Sequence, residues 1–176
     1  MVEDIRHKSL LAMIDTHSAG VQDHKVLRTL ILLLVLFLVG CGEPLPAEVE
    51  DYANSENCFQ MNAELIAPTE DDPHEGFKNV YACNITPEDL IGESGAPIFP
   101  YPENTLIVKE SRKEAQDYVW LIATAKKTGG AWEWAEYTRN FDNEEFIKIP
   151  APASVCTDCH QKAKGADYIF TVYTSD

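Results

Sequence analysis

Basic residues are scarce in this chain. Fourteen lysines and arginines stand against 29 aspartates and glutamates, a formal charge of −15 at pH 7. So acidic a chain lacks the basic face that neutralising phosphates demands, which excludes a general nucleic-acid binder. Long apolar runs are also missing: the longest, Leu30 to Val39, covers ten residues, half of the ~20 that a membrane-spanning helix needs. Methionine occurs three times and histidine five times, so metal chemistry needing several thioethers or imidazoles has little to draw on. Apolar residues make up 45% of the chain and aromatic ones 10%, enough for one core and too many for disorder throughout.

The apolar run sits between His24, Lys25 and Arg28 on one side and Leu38-Val39-Gly40-Cys41 on the other. Charged region, apolar region, small residue is the order of a secretion signal. Leu-Val-Gly-Cys resembles the lipobox of bacterial lipoproteins, which implies that residues 1–40 are a signal peptide and that Cys41 is the lipidated first residue of the exported protein. Each buried methylene of such a lipid contributes about 0.8 kcal/mol, so several acyl chains hold a protein on a membrane surface. The competing reading is an uncleaved anchor in which Cys41 is incidental. A start at Met13 gives a signal of more usual length than one at Met1. Residues 1–40 hold four basic and four acidic side chains, so the 136 residues that follow carry the whole −15. The prolines of Glu43-Pro44-Leu45-Pro46-Ala47 make residues 41–51 read as a lipidated tether, with the folded domain expected over 52–176. The expected location is the bacterial cell envelope, anchored by lipid and facing the periplasm.

An exported chain meets oxidising conditions, so each of its five cysteines needs a chemical fate. Cys41 takes lipid, and Cys58 and Cys83 remain as a possible disulfide, a 25-residue loop closure contributing roughly 3–4 kcal/mol. Cys156 and Cys159 belong to Cys156-Thr157-Asp158-Cys159-His160, the c-type haem attachment motif. Two thiols one helical turn apart add to the haem vinyl groups, and the adjacent imidazole of His160 reaches the iron. A zinc site competes, but the exported segment offers only His74 as a further histidine. A thioredoxin-like redox pair needs a βαβ context that is absent.

Electron-transfer cytochromes c commonly hold their iron with histidine and methionine. Here the exported segment has one methionine, Met61, and only His74 besides His160. The economical expectation is a five-coordinate iron with an open distal side, with Met61 or His74 as the alternative sixth ligand.

β-Branched and aromatic residues cluster in Lys78–Ala82, Leu106–Lys109, Asp117–Thr124 and Ala131–Tyr137, and again in Tyr168–Tyr173. Thr128-Gly129-Gly130 marks a hairpin turn, and Thr86-Pro87-Glu88-Asp89 a helix start with a hydroxyl cap, proline at the first position and acids in the first turn. The expected fold is α+β, a mainly antiparallel sheet with short helices and the haem attached near the C-terminus. A helical bundle would need stretches of 3.6-residue periodicity that are not found.

Phe99-Pro100-Tyr101-Pro102-Glu103-Asn104-Thr105-Leu106-Ile107-Val108-Lys109-Glu110, Trp132-Glu133-Trp134, the attachment motif and Lys164-Gly165-Ala166-Asp167-Tyr168-Ile169-Phe170, in this order, resemble the cytochrome P-460 family. Pro73-His74-Glu75-Gly76-Phe77-Lys78-Asn79-Val80-Tyr81 resembles its early strand. The resemblance implies a β-rich exported haem c protein, often a homodimer, that binds or oxidises hydroxylamine or nitric oxide; the sister β-type cytochromes c-prime bind gases. It further implies that Lys109 lines the haem or bonds to its macrocycle. Trp132 and Trp134 share a strand face and either wall the pocket or pack the core. Ile122 aligns where some hydroxylamine-oxidising members carry a pocket glutamate, which favours the alternative of a non-catalytic gas-binding or electron-transfer cytochrome. Asn104 replaces a commoner glycine, a change that asparagine's tolerance of positive φ allows. The expected partners are a small nitrogen species, a membrane through Cys41 and a redox protein, which the charge of −15 makes basic.

Overall fold

The computed structural model describes residues 42–174. The proposed signal peptide and Cys41 lie outside the described residues. Six strands form one antiparallel sheet in sequence order: β1 (Cys58–Gln60), β2 (Phe77–Cys83), β3 (Leu106–Arg112), β4 (Leu121–Thr128), β5 (Ala131–Thr138) and β6 (Ile147–Lys148). Two short α-helices frame it, α1 (Ala47–Glu50) before the sheet and α2 (Ala153–His160) after it. This is the α+β architecture expected from the sequence. Among the described residues no helix is long and apolar enough to cross a membrane.

Turn chemistry sets the register. Gly129 and Gly130, at φ of 59° and 77°, form a two-residue hairpin that puts Thr128 opposite Ala131. The same pairing then places Ala125 opposite Trp134 and Ala123 opposite Glu136. Farther across the sheet Lys109 pairs with both Ala123 and Val80. Asn104 has a φ of 68°, the positive value its sequence context called for. β1 and β2 are joined covalently by the Cys58–Cys83 disulfide, whose cysteines are direct cross-strand partners.

Each face of the sheet carries its own core. On one, Val80, Ala82, Ile107 and Ala125 pack with Met61, Leu90, Tyr101 and Ile169. On the other, Val108, Leu106 and Ile122 pack with Val49 and Tyr52. The second face also buries the Glu110 carboxylate, which accepts hydrogen bonds from the Tyr52 hydroxyl at 2.6 Å and the Asn79 amide at 2.9 Å.

Four expectations change here. Residues 42–51 are not a free tether: Pro44 bridges to Ile147, the Leu45 amide donates to the Phe146 carbonyl, and Val49 is buried in the second core. The prolines stiffen the segment, but Leu45 and Val49 give it an apolar side to dock. The strand expected over Asp117–Thr124 begins only at Leu121, because residues 113–120 turn. The helix start at Thr86 yields a single 3₁₀ turn, Pro87–Asp89, whose Asp89 carboxylate accepts the Thr86 amide at 2.8 Å. Tyr168–Tyr173 is no strand, since Asp167 and Tyr168 both take left-handed φ and no neighbouring ladder receives the segment.

Candidate haem site

Pro152 supplies an extended N-cap for α2, and the helix carries Cys156, Cys159 and His160 across the open side of the first sheet face. One turn of helix separates the two thiols, both free and half-buried. None of the residues of α2 is fully buried. Val155 is 60% exposed and Phe170 is 55% exposed, both at the rim of a cavity between helix and sheet. The cavity has a volume of about 160 Å³ and opens to solvent at its mouth. Its floor is a trough: Ala123 and Ala125 on the central strand β4 keep the middle low between Lys109 and Ile107 on one side and Trp134 and Glu136 on the other.

His160 is held on three sides. Its Nδ1 donates to the Tyr168 carbonyl at 2.5 Å, Trp134 lies 4.2 Å from its ring centre and Phe170 5.0 Å. The bonded Nδ1–H leaves Nε2 as the lone-pair nitrogen, the tautomer a metal ligand needs. Burial lowers the His160 pKa, so the imidazole is neutral at neutral pH.

A polar chain lines the same cavity. Lys109 Nζ donates to His74 Nδ1 at 2.7 Å, and His74 Nε2 donates to the Glu136 carboxylate at 2.7 Å. The turn that presents His74 is made locally: the Asp72 carboxylate accepts the His74 amide at 2.9 Å, and Gly76 takes a φ of 79°. Asp72 also pairs with the buried Lys78. Burial pushes the Lys109 amine down to about 8. The hydrogen bond from His74 holds the Glu136 carboxyl below its ordinary value, against the opposing effect of burial.

Most of the residues expected at the site converge here: Cys156, Cys159, His160, Lys109 and Trp134 all line the cavity. Trp132 is not in the cavity lining and takes the other of its two expected places, packed against the core. It stands one step along β5, against Tyr101, with its indole N–H donating to the Asp167 carbonyl at 2.7 Å. Met61 is in the core and outside the cavity lining. Ile122 faces the second core and is not in the lining of this cavity, so its apolar side chain removes nothing from the site. The pocket glutamate is Glu136 on β5, which the sequence reading passed over although it alternates in phase with Trp132 and Trp134.

The donor set and the cradle fit a covalently bound haem: Cys156 and Cys159 would form the thioethers, and His160 Nε2 would ligate the iron. Val155 and Phe170 are exposed apolar groups beside the cavity that a bound haem would cover. An apolar slot closed by this helix defines a c-type haem protein. The family model for cytochrome P460 matches residues 57–171. The chain belongs to that family, whose members bind covalent haem c with its iron. Neither the curated proteins nor the solved structures contain a match to this chain.

Proposed function

We propose that the protein is exported, tethered to a membrane through lipid on Cys41, and uses a haem with an open distal side to bind or oxidise hydroxylamine or nitric oxide. The observation that carries this reading is the lack of a free strong-field side chain in the cavity among the described residues. Met61 is packed in the core. His74 lines the cavity, but both its ring nitrogens are engaged, by Lys109 and Glu136.

Bound haem supplies a ligand-accepting, one-electron centre. The chain's part is proton handling and orientation. Oxidising hydroxylamine releases protons along with electrons, and Glu136, His74 and Lys109 form a hydrogen-bonded line able to accept and pass them. Val80, Ile107 and Ala123 make the inner wall apolar. The lowered pKa of Lys109 supports an amine that is partly neutral, and hence nucleophilic, near pH 8. Glu136 in the cavity lining supports the oxidative reading over a non-catalytic gas-binding or electron-carrying cytochrome.

The test is an absorption spectrum of the reduced, haem-loaded protein with and without nitric oxide, followed by addition of hydroxylamine to the ferric form. A high-spin spectrum that shifts on nitric oxide, with hydroxylamine-dependent reduction of an added acceptor, supports the proposal. A low-spin six-coordinate spectrum indifferent to both ligands overturns it in favour of electron transfer. Peptide mass with haem attached to the Lys109 peptide marks the crosslink.

A further inference from the structure

The segment after α2 is built around one aspartate. A 3₁₀ turn, Gln161–Ala166, ends at Asp167, and both Asp167 and Tyr168 take left-handed φ values of 50° and 68°. Neither is glycine, so the surroundings must hold the turn in place. They do so through Asp167. Its carboxylate accepts two contacts from Lys127 Nζ, at 2.9 and 2.8 Å, and the Tyr101 amide at 3.0 Å. Its carbonyl accepts the Trp132 indole at 2.7 Å. Lys127 is only 4% exposed, and the two charges are buried against each other. The next residue, Tyr168, supplies the carbonyl that accepts the His160 Nδ1 proton. Lys127, Tyr101 and Trp132 thus converge on a turn whose one bond toward the cavity goes to the proximal imidazole.

We propose that the Asp167–Lys127 pair is a positioning device for the axial ligand: by fixing the Tyr168 carbonyl it sets the basicity of His160, and with it the reduction potential of the haem iron. A strong Nδ1–H···O bond gives the imidazole more electron density to donate, which stabilises the ferric state and lowers the potential. A loosened carbonyl does the reverse. The inference rests on haem attachment alone and stands whether or not the protein oxidises hydroxylamine.

The experiment measures the reduction potential by spectroelectrochemistry, and the iron–histidine stretch by resonance Raman, on the haem-loaded full protein and its variants. Asp167→Asn and Lys127→Met are both expected to raise the ferrous-to-ferric ratio about tenfold at fixed potential, an upward shift of ~59 mV for one electron. Both should move the stretch to lower frequency. Lys127→Arg keeps the ion pair and should return both readings toward wild type. Trp132→Phe removes a single neutral donor to the turn and should give a smaller shift of the same sign. A direct charge effect predicts otherwise: losing the negative Asp167 raises the potential, whereas losing the positive Lys127 lowers it. Opposite signs for the two charge variants overturn the proposal. So do wild-type potentials and stretches in variants that fold and bind haem, Trp132→Phe included, since a merely structural clamp would change the melting temperature alone.

Discussion

Replacing Lys109 with methionine tests the electrostatics of the cavity. Lys109 ionises at about 8 in the folded chain against its ordinary 10.5, chiefly because burial disfavours the ammonium. Between those values the unfolded chain binds more protons than the folded one, so stability contributed by this position rises with pH. Below pH 8 the buried charge imposes its full cost, about 3 kcal/mol at ~1.4 kcal/mol per pH unit, and roughly 2.5 kcal/mol of that is recovered between pH 7 and pH 10. Lys109→Met should therefore lose roughly 2.5 kcal/mol of stability relative to wild type between pH 7 and pH 10. Packing and hydrogen bonds lost at the site enter as a constant offset, so the change with pH is diagnostic. Guanidinium unfolding at pH 7, 8.5 and 10 measures it, with Cys156→Ser and Cys159→Ser in both chains to keep haem chemistry out. A difference between the two chains that stays flat over this range refutes the assignment of a buried, depressed amine. In haem-loaded protein a crosslinked Lys109 has no ammonium to titrate, and the two chains should then run parallel.

Three further outcomes are expected. Cys58→Ser with Cys83→Ser removes the bridge between β1 and β2 across a separation of 25 residues, at a cost of about 3–4 kcal/mol in the chain-entropy model. Calorimetry should show the melting temperature falling by roughly 10 °C or more. Gly76→Ala combines a φ of 79° with a Cβ that would collide with the Arg112 carbonyl. It should destabilise the chain by at least ~1–2 kcal/mol and disturb the His74–Glu136 bond, visible as a shifted His74 resonance by NMR. Glu136→Gln keeps the shape of the pocket but removes the anionic proton acceptor. Hydroxylamine oxidation should slow about 10²–10⁴-fold while the haem spectrum stays near wild type, and an unchanged rate would rule Glu136 out as the proton acceptor.

The central sheet was legible because its signals are local. Alternation in Ala131–Tyr137, the two-glycine turn and the Cys-x-x-Cys-His spacing each specify structure within a few residues. The site's polar half was less legible, since it depends on which faces coincide across strands. Yet part of that was recoverable: the tight hairpin fixes Ala123 opposite Glu136, so a strand face assigned to Trp134 carries Glu136 and excludes Ile122. The roles of Trp132 and Trp134 separate only through the placement of α2, which no periodicity encodes. Residues 42–51 misled because prolines signal stiffness and say nothing about whether a stiff segment has a surface to lie on. Tyr168–Tyr173 misled because β-propensity cannot form a strand without a partner edge.

The docked N-terminal segment turns reach into a folding variable. Glu43 pairs with Lys148 at 2.7 Å and Leu45 bonds to Phe146, so under the proposed lipidation one glycine, Gly42, separates the anchor from the domain. At roughly 3.5 Å per residue that leaves about 7 Å of chain between anchor and domain, whereas an undocked stretch of the ten residues 42–51 would give about 35 Å. With that lipidation, encounter with an electron acceptor would become a search in a thin layer, favouring partners at the same membrane. Whatever unpins Val49 lengthens the leash without altering the haem site.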